Sequence, residues 1–224
     1  VEEGRPPPRP SSGTPQGGVL SPLLANAYLN WVDRQFHQSK GPGCWANAKI
    51  VRYADDFVIC ARYIDRRILD WLEQLMHRLG LTLNGEKTRV VNLNQPRASV
   101  SFLGFSIRTA PSRYGGTFAV VTPSPDSVRR ATRRLTELTN HRMGLVPIPQ
   151  LIAKVNWYLR GWGAYFNHGY ASRSLSKVQW HATQRLTRHL KRRSQRSYRP
   201  PGNVTWYQHL HQDLELVRLT GGRR

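Results

Sequence analysis

The spacing of apolar positions changes character near residue 123, and the change separates two kinds of predicted structure. Ser21-Pro22 reads as a helix start, with Ser as N-cap and Pro at the first helical position. Leu24, Ala27, Tyr28 and Trp31 then follow at helical spacing. "AKIVRYADDFVICAR" reads as strand, two-residue turn, strand. Asp65 can cap a helix whose stripe is Ile68, Leu72, Leu75 and Leu79, ended by Gly80. "TRVVNL", "VSFLGFSI" and "TFAVV" read as short strands. Beyond Pro123 the period becomes helical throughout. Ser124-Pro125 opens a helix with Val128, Ala131, Leu135 and Leu138 inside, and "IPQLIAKVNWYLRGWGAYF" and "SLSKVQWHATQRLTRHLKRR" give two more. The leading "VEEGRPPPRPSSG" is Pro-rich and extended. The expected fold is α+β with an antiparallel sheet, followed by an all-helical part, the boundary falling near residues 110–123.

Charge sharpens this division. The 224-residue chain carries 34 Lys and Arg against 13 Asp and Glu, a formal +21. Residues 1–120 hold 15 basic and 9 acidic side chains, while residues 121–224 hold 19 and 4, so the helical part is much the more basic. A surplus of this size calls for a polyanion, because each neutralised phosphate releases counterions. No apolar run reaches the roughly 20 residues a membrane span needs, and no signal peptide is visible. Cys44 and Cys60 form no CxxC pair, which fits a reducing cytoplasm, bacterial or an organellar matrix.

Asp55 and Asp56 pose the chemical question. A two-residue hairpin turn prefers Asn-Gly or Asp-Gly, and adjacent carboxylates repel. Magnesium relieves that repulsion, since it takes carboxylate oxygens and leaves room for substrate phosphates. Two such ions serve phosphoryl transfer.

Several blocks carry a family resemblance. "RYADDFVIC" resembles the YxDD hairpin of reverse transcriptases. "GTPQGGVLSPLLANAYLNWVDR" resembles the preceding palm segment of reverse transcriptases encoded by group II introns. "LGLTLNGEKTRVVNL" and "SFLGFSI" are similar to the next two blocks, and "VNWYLRGWGAYF" to the core of the maturase (X, or thumb) region. The resemblance implies a Pro-rich extended segment over 1–12, a partial palm over 13–121 and a helical thumb/maturase domain with a basic tail over 122–224. It implies an RNA-directed DNA polymerase that binds intron RNA, an RNA template with a DNA primer, and dNTPs, with two Mg2+ ions and no membrane.

By resemblance, Asp55 and Asp56 are metal ligands and, with Lys87 near the nucleotide phosphates, the catalytic set. Pro15, Gln16 and Gly17 would touch nucleotide or template, and Tyr53 would lie beside the primer end. Phe102, Leu103, Gly104 and Phe105 would grip the primer, Gly104 by letting backbone come close. The residues alone leave plainer readings open: Tyr53, Phe102 and Phe105 as packing aromatics and Lys87 as a solvated lysine. One departure matters. The family holds its metals with three carboxylates, the first upstream of GTPQGG, and here only Glu2 and Glu3 precede Gly13. The fingers have no counterpart either. The expectation is therefore a C-terminal portion of such an enzyme, weak or inactive alone and completed by the missing N-terminal half.

In the helical part, Arg129, Arg130, Arg133 and Arg134 share one flank. Arg185, Arg188 and Arg192 line up on the third helix beside Lys191 and Arg193. Such stripes track a phosphate backbone, and Arg160 joins them through the family pattern. Trp157, Trp162, Tyr165 and Phe166 are expected mostly in the core. Gly161 within a helix costs about 1 kcal/mol relative to Ala, which implies close packing or close approach of RNA. His209 and His211 have no obvious metal partner, and "LELVRLTGGRR" resembles the ending of members without an endonuclease. Two functions stay open: polymerase, or a maturase fragment that binds intron RNA without making DNA.

Overall fold

The computed structural model describes residues 19–195 and 198–221. It divides into two compact units, Val1–Val90 and Val91–Arg224. The strands at residues 100–123 thus gather with the helices that follow them. The Pro-rich segment at 1–12 lies outside the described residues.

In the first unit, α1 (Ser21–His37) leads through a short helix α2 (Pro42–Trp45) to the antiparallel hairpin β1 (Lys49–Tyr53) and β2 (Asp56–Cys60), then to α3 (Arg66–Arg78). Ser21 is not the cap expected. Leu20 takes that position, because its carbonyl accepts from the Leu24 amide and the first turn closes one residue earlier. Asp65 does cap α3, accepting from the Ile68 amide at 3.2 Å. The far end closes as the stop signal requires: Gly80 has φ +65° and the Leu81 amide returns to the Met76 carbonyl. Val32, Leu72, Leu75 and Met76 form a small core with Phe57 and Ile59 packed against it.

The second unit begins with a meander of β3 (Val100–Phe102), β4 (Phe105–Pro111) and β5 (Thr117–Pro123). The strand expected over "TRVVNL" does not form. Asn92 instead starts a turn, its side chain accepting from the Asn94 amide and its carbonyl from Gln95. Three helices follow, α4 (Pro125–Leu138), α5 (Ile148–Phe166) and α6 (Ser172–Lys191). Ser124 caps α4 as its sequence predicts. Val128, Ala131 and Leu135 of α4 meet Leu151, Val155, Leu159, Trp162 and Phe166 of α5 and Leu175, Val178, Leu186 and Leu190 of α6 in one core. The segment after the π-helical turn His209–Asp213 straps across α5: Asn156 donates to the Glu215 carbonyl at 2.9 Å and accepts from the Val217 amide at 2.8 Å. No helix among the described residues is long and apolar enough to cross a membrane.

Carbonyls at a helix C-terminus run short of intrahelical donors, and α6 supplies further ones to the end of α4. Arg185 donates from Nε to Thr139 Oγ1 and from Nη2 to the Thr136 and Thr139 carbonyls, while buried His189 shares a 3.2 Å contact between Nδ1 and the Thr139 carbonyl. Burial, with Arg193 and Arg185 nearby, holds His189 below its ordinary pKa despite that bond. His181 is lowered for the same first reason. In both cases the unfolded chain takes up protons that the folded unit refuses. Stability therefore falls as pH drops below about 6.5 and levels off once the folded-state values are passed. Urea melts across this range test it, and His189→Gln is expected to flatten the slope.

Candidate active site and nucleic-acid interface

The acidic hairpin is built differently from a plain two-carboxylate turn. Tyr53 pairs with Asp56, so Ala54 and Asp55 make the turn and Asp56 is already a strand residue. Ala54, not an aspartate, takes the left-handed conformation, at φ +54°. A Cβ there costs on the order of 1 kcal/mol, and something must hold the tip in place. Arg52 does so. Its guanidinium donates to both Asp33 carboxylate oxygens, Nη2 reaching Oδ2 at 2.6 Å, while Nη1 donates to Asn26 Oδ1 and to the Ala54 carbonyl at 2.9 Å. One side chain thus bolts the turn to α1. The hydrogen bond to Asp33 raises the Arg52 pKa further, so the tether is charged at every accessible pH.

Asp55 and Asp56 are exposed and, among the described residues, have no hydrogen-bond or ion-pair partner. They fit as two ligands of a hard cation. No group of three or more His, Cys, Asp or Glu residues suited to a metal lies among the described residues. Tyr53 is 65% exposed, so it does not pack into the sheet. Lys87 is exposed in a turn closed by Asn84, whose side chain and carbonyl both accept from the Lys87 amide. Pro15, Gln16 and Gly17 lie outside the described residues.

In the second unit, Leu103 (φ +49°) and Gly104 (φ +79°) form the tight turn between β3 and β4. The Gly104 carbonyl accepts from the Ser124 amide and Ser127 Oγ, and the Leu103 carbonyl from the Tyr165 hydroxyl. A Cβ on Gly104 would come within 2.9 Å of Ser127 Oγ and 3.3 Å of Phe166. The glycine is required by the protein's own packing, where the sequence had offered backbone approach by nucleic acid. Phe105 packs against Phe166 in a tilted ring contact at 5.0 Å, and Phe102 is half-buried.

The arginines divide by use. Arg129, Arg130, Arg133 and Arg134 are all exposed along one flank of α4. Arg129 pairs with Asp126, while Arg133 and Arg134 share Glu137. Exposed pairs of this kind are worth about 0–1 kcal/mol, too little to keep a phosphate away. Arg160, Arg188, Lys191 and Arg192 are exposed, and Lys191 sits over the Trp206 ring at 5.4 Å. Arg185 is engaged at the α4 terminus, and Arg193 has one buried nitrogen, Nη1, without a protein partner.

Two expectations for α5 need correction. Trp162 and Phe166 are core, but Trp157 is 79% exposed because it falls on the face opposite Val155 and Leu159. Gly161 has no atom within 4 Å of where a Cβ would stand, so close packing does not explain it. Gly163 is the packed glycine, with Leu219 Cδ2 at 2.6 Å. His209 and His211 are structural: His209 contacts Tyr198 and Asp213, and His211 the Leu216 carbonyl.

The Arg52 tether was missed in the sequence. Its one signal was a lone arginine inside the apolar strand "KIVRY", with an aspartate on the preceding helix. Arg52→Ala is expected to destabilise the first unit by about 2 kcal/mol, with Arg52→Lys restoring little because the contact is forked. Urea titration and amide exchange at residues 53–56 measure both.

Two family models match, in chain order. Reverse transcriptase (RNA-dependent DNA polymerase) covers residues 7–107, and the group II intron maturase-specific domain covers residues 128–206. Among curated proteins, Protein YkfC of Escherichia coli (strain K12) is 30% identical over 158 residues, 57% of this chain and 41% of that protein. Group II intron-encoded protein LtrA of Lactococcus lactis subsp. cremoris is 28% identical over 162 residues, 45% of this chain and 26% of that protein. The aligned region is thus less than half of either relative's length. With one domain matched on each side of the sheet-to-helix transition and an intron-encoded relative beside them, the chain belongs to the group II intron reverse transcriptase/maturase family.

Proposed function

We propose that this chain supplies the catalytic hairpin and the RNA-binding helices of an RNA-directed DNA polymerase that also acts as an intron maturase. The observation that carries the polymerase half is the turn itself: two exposed, unpartnered carboxylates on a hairpin fixed to α1 by Arg52, within the stretch matched by the reverse transcriptase model. Magnesium bound at Asp55 and Asp56 would supply Lewis-acid chemistry, activating the primer hydroxyl and offsetting charge on the leaving pyrophosphate. Lys87 would hold the nucleotide phosphates, Tyr53 would sit against the primer end, and Gln16 with Pro15 and Gly17 would line the nucleotide site. The Phe102–Phe105 turn, rigid because both central carbonyls are bonded, would bear on the primer backbone. The exposed arginines of α4 and α6 would bind intron RNA through its phosphates.

Two carboxylates leave a magnesium pair short of protein ligands, so the third is proposed to come from polypeptide outside these residues. Two features support an incomplete palm. Leu20, just before α1, and Leu23, Leu24, Tyr28 and Trp31 within it leave an apolar face exposed, and among the described residues β1–β2 is a two-stranded sheet with unpaired outer edges. A second reading, an RNA-binding maturase fragment without catalysis, draws on the same lack of a third carboxylate among the described residues.

Primer extension on an RNA template with Mg2+ separates them. The chain alone is expected to make no cDNA, and addition of a polypeptide carrying the fingers and the first palm aspartate is expected to restore synthesis. Robust synthesis by the chain alone would refute the incomplete-site account, and none under any complementation would favour the maturase reading.

A further inference from the structure

A groove of about 600 Å3 runs between α4 and α5; the polymerase site does not account for it, and the α4 arginine stripe touches it only through Arg134. Its walls are Leu138, Met143, Trp157 and Tyr158, and its rim carries Arg134 and Lys154. The volume lies within the about 300–1,000 Å3 typical of clefts for small planar ligands.

Trp157 is the unusual member. A tryptophan 79% exposed on a folded helix forfeits most of the gain its ring could make by burial. Among the described residues its indole N–H has no hydrogen-bond partner and its ring no aromatic neighbour. Trp162, five residues on, is packed in the core, so the exposure belongs to this position and not to the helix as a whole.

The charges around the groove are mostly positive. Arg134 and Lys154 line it beside a single carboxylate, Glu137, which is already paired with Arg133 and Arg134. Tyr158 stays a neutral phenol, since burial raises its pKa against the opposing pull of Arg134 and Arg130. It can therefore donate a hydrogen bond into the groove. One turn beyond Trp157 the exposed face continues with Arg160 and then Gly161, where open space replaces a side chain. A flat ring, cations lining the same groove and a bare stretch of helix alongside are the parts of a single-strand stacking platform.

We propose that the α4–α5 groove takes one unpaired nucleotide of single-stranded RNA, its base stacked on Trp157 and its phosphates held by Arg134 and Lys154. The inference rests on the RNA-binding reading above and deepens it: the arginine stripes recognise backbone, whereas this site recognises an unstacked base. Duplex RNA, whose bases are stacked on each other, has no ring to offer and binds through the stripes alone.

The test uses the full chain, a single-stranded RNA decamer carrying one 2-aminopurine, and a blunt RNA duplex of equal length. Binding of the decamer is expected to quench the 2-aminopurine. Trp157→Ala is expected to remove the quench and weaken decamer binding about tenfold or more while leaving duplex affinity unchanged. Trp157→Phe is expected to keep most of both, and Lys154→Gln to reduce the salt slope by about one with the quench retained. Trp157 is largely exposed, so a melting temperature matching the parent's is expected and excludes misfolding. Equal quench and affinity in Trp157→Ala, or equal losses on decamer and duplex, overturn the groove proposal while RNA binding by the parent stands. A parent chain that binds neither RNA overturns the RNA-binding reading and this proposal with it. A groove that ignores both RNAs but retains a polypeptide through Trp157 is a protein-docking site instead.

Discussion

Carboxylates at the tip of a short hairpin have little to hold them still, because the turn has no core beneath it and the charges repel. In this chain a guanidinium solves the problem from below. Arg52 spends its fork on Asp33 and its remaining donors on Asn26 and the Ala54 carbonyl, so the turn is tied to a seventeen-residue helix. The consequence is a division of labour between charges: Asp33 neutralises the strand arginine, and Asp55 and Asp56 are left unpaired. A turn whose own carboxylates paired with Arg52 would be equally stable and chemically useless.

The second unit repeats the logic with the sign reversed. Arg185, with the uncharged His189 beside it, is committed to the carbonyl end of α4, where the two link a pair of helices, while Arg130, Arg188 and Arg192 stay at the surface. Surface pairs with Asp126 and Glu137 hold three of the α4 arginines loosely, at an energy a phosphate can displace. The turn at Leu103-Gly104 is the rigid counterpart of the acidic hairpin, since donors from Ser124, Ser127 and Tyr165 fix it. Both turns thus depend on side chains well apart in sequence, Asn26 and Asp33 through Arg52 in one case and Ser127 and Tyr165 directly in the other.

This explains what the sequence could and could not disclose. Signals local to a few residues were legible: the Asp65 and Ser124 caps, the Gly80 stop, the apolar stripes of α3 to α6 and the existence of the β1–β2 hairpin, although its turn falls on Ala54-Asp55, one residue earlier than read. Where tertiary partners decide, the reading failed. The β-branched run at residues 88–93 reads as strand, but the Asn92 turn takes its backbone groups. Trp157 and Trp162 look alike in sequence and lie on opposite sides of one helix, separated only by which face the core occupies. Gly161, read as closely packed or approached by RNA, has open space beside it, and Gly163, to which no role was assigned, is the packed one. The candidate site residues were named from family blocks more than from physics; of the residues that position them, Arg52 stands inside the "RYADDFVIC" block with no role read from it, and Ser127 belongs to no block.

The central claim is that the acidic turn serves polymerisation while the helical unit serves RNA binding, two tasks joined in one chain and separable by mutation. The most direct measurement compares parent and Asp55→Ala/Asp56→Ala protein, each supplied with the complementing palm and fingers, for cDNA synthesis and intron RNA affinity in the same preparation. The account predicts that synthesis disappears and affinity is unchanged. Synthesis that survives the loss of both carboxylates, or RNA affinity that disappears with them, would contradict it.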